Sequence, residues 1–117
     1  MKQYTTPRQT AKIIGLGFEK PKSKVLFEVG NDELGYAYSI GELIEMLPTT
    51  IAYEIWWGEE KGMEGFWGLQ ISTNGTDYMW SVDYMRDRSA PLYRECGSEL
   101  LDALFYMAVK LKEEGVI

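Results

Sequence analysis

The 117-residue sequence predicts an α+β fold. It comprises a three- to four-stranded antiparallel meander, a C-terminal helix packed across one face of it, and two shorter helices. Three observations predict this arrangement. Two stretches of alternating apolar and polar residues flank Asn74-Gly75, the strongest short-range hairpin signal. Two capping boxes open short segments upstream. A long amphipathic stretch closes the chain.

Taken in order, Thr6 caps the first helix, Pro7 suits its first position, and Gln9 completes a capping box. The helix runs through Ala11, Ile13 and Ile14 until Gly15 and Gly17 stop it. Residues 22–29 (KSKVLFEV) read as a strand whose lysines suit a sheet edge. Residues 30–33 form a turn, and residues 35–38 return as a strand or approach the next helix irregularly. Ser39 and Glu42 make the second capping box, and Ile40, Leu43, Ile44 and Leu47 form one apolar stripe before Pro48 ends the helix. Residues 51–57 (IAYEIWW) alternate as a strand with Tyr53, Ile55 and Trp57 on one side. Residues 58–65 (GEEKGMEG) read as a polar, acidic loop.

The hairpin follows. With Asn74-Gly75 as a two-residue turn, Thr73 faces Thr76, Ile71 faces Tyr78, Leu69 faces Trp80, and Trp67 faces Val82. These residues share one side. Gln70, Ser72, Ser81 and Asp83 take the other, with Phe66, Met79 and Met85 among them. Residues 86–97 read as a polar connector. The last helix starts near Ser98 and runs to Glu114, with Leu100, Leu101, Leu104, Phe105, Ala108 and Leu111 as its apolar face. Lys110 and Lys112 complement its dipole, and Gly115 supplies the residue after its end. No repeat, low-complexity stretch or linker divides residues 1–117, so one domain is expected.

Composition narrows the function classes. A chain this long buries enough surface to fold without disulfides or metal, and one cysteine, Cys96, excludes an internal disulfide. The start is not of signal-peptide type and no apolar run approaches the ~20 residues of a membrane span, so a cytoplasmic location without membrane contact is expected. The net charge of −6 is uneven. Residues 1–24 carry six basic groups against one acidic, a net of +5, and the remainder carries −11. Arg8, Lys12, Lys20, Lys22 and Lys24 form a candidate basic contact segment. The plainer reading is that this segment packs on the acidic body, and the acidic remainder disfavours general nucleic-acid binding.

There is no histidine, which removes the commonest general base and every Ser-His-Asp or Cys-His arrangement. Cys96 is a nucleophile only if Arg94 or a helix terminus depresses its pKa. Glu54, Glu59, Glu60, Glu64 and Asp83 leave carboxylate hydrolysis chemically open, but a pair must converge at the right separation. The glutamates lack the order of a calcium loop, and Gly15-Leu16-Gly17 follows a helix where a phosphate loop follows a strand. No catalytic residue, metal or cofactor is therefore expected. Aromatic residues are the most plausible binding element. Trp56, Phe66, Met79 and Met85 form a candidate partner-binding set on the sheet side opposite the core.

Five segments carry a resemblance: TTPRQTAKIIGLGF, AYSIGELIEMLP, YEIWW, WSVDYM and LLDALFYMAVKLKEEGVI. Their order and spacing resemble a group of small uncharacterised proteins of phages, prophages and mobile elements of gut bacteria. The shared motifs are structural, so the resemblance implies an origin and a fold, and no functional residues. The expected function is a non-enzymatic protein-binding or accessory module whose partner is a protein, either a second copy or a host component. An acidic mimic of nucleic acid is a variant of that reading. The alternatives are a nucleic-acid-associated protein using the basic segment, and a carboxylate-based hydrolase.

Overall fold

A computed structural model describes residues 2–27, 33–57, 60–74, 79–86 and 91–117; the side chains of 24–27, 33–34, 53–57, 60–64 and 74 are outside that description. The elements are α1 (Pro7–Gly15), β1 (Ser23–Phe27), β2 (Glu33–Ala37), α2 (Ile40–Met46), β3 (Thr50–Trp57), β4 (Glu60–Asn74), β5 (Met79–Met85), β6 (Tyr93–Gly97) and α3 (Leu100–Glu113). Strands β3-β4-β5-β6 form a four-stranded antiparallel meander. Strands β1 and β2 make a separate two-stranded sheet, so the 22–29 strand does not join the meander.

Both capping boxes form as the sequence predicts. Thr6 accepts from Gln9 N–H while Gln9 accepts from Thr6 N–H, and Ser39 and Glu42 do the same for α2. Gly115 follows α3 with φ 76°, and Val116 N–H reaches back to the Leu111 carbonyl at 2.8 Å, closing a Schellman motif. A buried hydroxyl chain fastens the N-terminus to the segment between β2 and α2. Tyr38 N–H donates to Thr5 Oγ1 at 2.9 Å, Thr5 and Thr10 hydroxyls meet at 2.7 Å, and Thr10 donates to the Thr6 carbonyl at 2.8 Å. Since Thr10 spends its proton on Thr6, Thr5 is the donor between the two hydroxyls.

Helix α3 lies across the sheet face that carries Ile51, Trp67, Val82 and Tyr84, all buried. Its burial is wider than the expected stripe. Ala103 and Met107 are buried with Leu101, Leu104, Ala108 and Leu111, whereas Leu100 and Phe105 are half-buried. The reason is that α2 packs on α3 as well, bringing Leu43 and Leu47 into the same core. The short helices therefore belong to the α3 side, with α1 against β2, and not to the opposite face of the meander. Tyr84 links the layers: its hydroxyl donates to the Pro48 carbonyl at 2.8 Å, and burial pushes its pKa well up.

Three expectations are corrected. The β4–β5 register places Ile71 opposite Val82, Leu69 opposite Tyr84 and Thr73 opposite Trp80. Each partner is thus shifted by four from the two-residue-turn register, and residues 75–78, where Thr76 and Tyr78 fall, are outside the described residues. A slip of four is even, so every side chain keeps its face; alternation alone cannot separate such registers. The shift brings the buried Tyr84 opposite Leu69. Second, the acidic stretch 58–65 is not a loop throughout: β4 begins at Glu60, its backbone paired to Trp57 through Tyr53. Cross-strand pairing overrides the weak strand propensity of Glu, Lys and Gly. Third, the 86–97 connector contains β6, which pairs with β5 from Trp80↔Gly97 to Tyr84↔Tyr93.

Strand β4 pairs with β3 over 60–68 and with β5 over 68–74, so the sheet is staggered. A 15-residue strand is roughly 50 Å long at ~3.3 Å per residue. The molecule is accordingly elongated, 60 × 35 × 17 Å, with a radius of gyration of 16.5 Å where about 13 Å is usual for this length.

Candidate functional site

With α3 on one face, the other face of β4-β5-β6 presents a readable grid. Directly paired residues of an antiparallel ladder point the same way, so Ser72, Ser81 and Cys96 form one cross-strand row and Gln70, Asp83 and Arg94 the next. Met79 lies beyond the first row, and Met85 and Phe66 beyond the second. Phe66 is 62% exposed, Met79, Gln70 and Cys96 are exposed, and Met85 is half-buried.

At the centre of this face Asp83 has only 5% of its side chain exposed. It is satisfied by two neighbours. Arg94 Nε–H donates to Oδ1 at 2.7 Å, and the Ser81 hydroxyl donates to the carboxylate at 3.0 and 2.9 Å. The Cys96 thiol in turn sits 3.7 Å from Ser81 Oγ. The hydrogen bond from Arg94 to Asp83, and the carboxylate's charge, raise the Arg94 pKa further above its ordinary value. Ser72, Thr73, Met79, Trp80, Ser81, Asp83, Arg94 and Cys96 line a shallow pocket of about 230 Å³. The arrangement offers hydrogen-bond donors on an apolar rim.

Of the predicted partner-binding set, Phe66, Met79 and Met85 share this face, but as two groups. Met79 and Met85 are the ends of β5, six positions or roughly 20 Å apart, with the polar rows between them. Trp56 is on β3 in register with Lys61, and its side chain is outside the described ones. The same holds for Glu54, Glu59, Glu60 and Glu64, so Asp83 is the one expected carboxylate whose surroundings are described, and it is held by Arg94 and Ser81. Sequence reasoning missed Arg94 as an anchor. Residues 93–97 carry no apolar alternation that marks a strand, and it is the pairing with β5 that sets Arg94 opposite Asp83.

The basic segment divides. Lys2 Nζ pairs with Asp102 at 2.8 Å and Lys12 with Glu113 at 3.6 Å, which is packing on the acidic body. Lys112 also lies 5.1 Å from the Phe18 ring. Arg8, Lys20 and Lys22 are exposed, and the Lys24 side chain is outside the described ones. Lys20 and Lys22 line a groove of about 290 Å³ together with Glu19, Glu42 and Glu45, a surface of mixed sign.

Burial alone would push the carboxyls of Glu42 and Asp102 up. The bonds from Ser23, Lys22 and Ser39 to Glu42, and from Lys2 and Gln9 to Asp102, outweigh it and lower both. Groups with a lowered folded pKa stabilise fully above the ordinary carboxylate value of about 4, and the contribution is lost as pH falls through the folded value. Thermal unfolding followed from about pH 6 to pH 2 is expected to show falling stability below about pH 4, with a shallower fall in E42Q and D102N.

Among the described residues, no helix is long and apolar enough to cross a membrane, and no group of three or more His, Cys, Asp or Glu is placed to hold a metal ion. No family model, curated protein or solved structure matches the chain.

Proposed function

We propose that the protein is a non-enzymatic protein-binding or accessory module, of the phage or mobile-element kind its segments resemble, and that it docks its partner on the open face of β4-β5-β6. The observation that carries this reading is the sidedness of the sheet. One face is covered by α3, while the other exposes Phe66 and Met79 around the Arg94–Asp83 pair. Exposed aromatic, Met and Arg side chains are enriched where proteins meet. The pairing of Lys2 and Lys12 with acidic partners on α3, and the mixed charge around Lys20 and Lys22, weigh against phosphate binding by the basic segment.

The test is photo-crosslinking in host lysate from a reactive amino acid placed at Phe66, at Met79, or at Tyr106, which is exposed on α3. Adducts to the same protein from positions 66 and 79 and none from 106 are expected. Adducts only from 106, or from none of the three, would reject the reading.

A further inference from the structure

We infer that the open face recognises an acidic peptide segment of its partner, with Arg94 as the anchor for a carboxylate; this rests on the docking reading above. Arg94 gives only Nε to Asp83. Its two terminal nitrogens have no partner among the described residues, although the side chain is half exposed. A guanidinium bonded through Nε still presents its Nη1/Nη2 edge, whose spacing matches a carboxylate bidentately.

The charge arrangement selects the sign of the guest. Asp83 is buried beside Arg94 and fixes the guanidinium through Nε, while about half of the Arg94 side chain, 52%, stays exposed. No other charged side chain of this face is described: the neighbours are Gln70, Ser72, Ser81 and Cys96. Ser72 stands in the adjacent row as a further hydroxyl. Met79 supplies an apolar wall to the same pocket, whereas the Trp80 side chain belongs to the core face.

A peptide fits better than a free acid for a reason of length. The pocket is shallow, and two further apolar groups of this face lie far from Met79: Met85 is roughly 20 Å away along β5, and Phe66 is eight positions along β4 from Asn74, the partner of Met79, or roughly 26 Å. An extended segment of about six to eight residues spans those distances, placing an Asp or Glu over Arg94 and apolar residues at either end.

Random-peptide display against the full-length protein tests this. Recovered peptides are expected to carry Asp or Glu beside Leu, Met or aromatic residues. Changing that acid to Gln in the peptide should weaken binding at least about tenfold, the effect of losing a charge-assisted bond. Arg94→Gln in the protein should weaken it equally, and R94K should restore part of it. Using both sides keeps the result interpretable if R94Q disturbs Asp83. Recovery of no peptide, no acidic enrichment, or indifference to both changes overturns the inference. Displacement of the peptide by millimolar inorganic phosphate or by an oligothymidylate would assign the site to phosphate instead, and overturns it too. Acid-independent peptides that cross-link to positions 66 and 79 would sink this inference alone; peptides that map elsewhere would sink the docking reading with it.

Discussion

Trp67→Ala is expected to lower stability by about 3–5 kcal/mol, while Phe66→Ala changes it by less than about 0.5 kcal/mol. The two residues are neighbours on β4 and differ in face. Trp67 is 7% exposed and packs in the α3-covered core, whereas Phe66 is 62% exposed. The truncation at 67 removes a large buried ring and also the surface over which the Arg86 guanidinium lies, 5.7 Å from the ring centroid. A domain of this size has only about 5–15 kcal/mol to lose, so the first variant should be close to unfolding at physiological temperature. Urea denaturation of both variants checks the contrast. Similar losses at 66 and 67 would mean that both faces of β4 are covered, and the open-face assignment would fail.

Gly65→Ala is expected to destabilise by about 1–3 kcal/mol, although alanine in a strand is ordinarily the better residue by about 0.5–1 kcal/mol. A Cβ at position 65 would stand 2.6 Å from Trp67 Cη2 and 2.6 Å from Arg86 Nη1. The Trp67 ring and the Arg86 guanidinium close over this glycine, so an added methyl group must displace both of them. Gly68 on the same strand has nothing within 4 Å of such a Cβ. Gly68→Ala should therefore be neutral or stabilising by up to about 1 kcal/mol. Opposite signs at the two positions, read from thermal unfolding, separate close packing from backbone propensity. The same sign at both would remove the packing account.

The parts of the fold that were legible are those written in local chemistry. Thr6-Pro7-Arg8-Gln9 and Ser39-Ile40-Gly41-Glu42 specify their own hydrogen bonds, and both capping boxes form. Gly115 and Val116 likewise announce the end of α3. Face assignment on the hairpin was legible too, because alternation survives any even slip. Register was not, since a pattern of period two is blind to a shift of four. Strand β6 escaped because five residues with two charges and a glycine carry little propensity; its pairing with β5 is what makes it a strand. The start of β4 escaped for the same reason.

The site was half legible. Phe66, Met79, Met85 and Asp83 could be placed on the non-core side from the letters. Their separation into two apolar ends around a polar centre follows from the ladder, as does the meeting of Asp83 with Arg94. The two residues lie eleven apart in sequence and directly opposite in the sheet.

The open face of β4-β5-β6 is expected to meet a protein. Cross-linking yield from position 66 or 79, divided by the yield from position 106, measures that contact most directly. We expect a ratio well above one at both positions, falling when Arg94→Gln is added. A ratio of one or less at both would place the partner surface elsewhere and contradict the account.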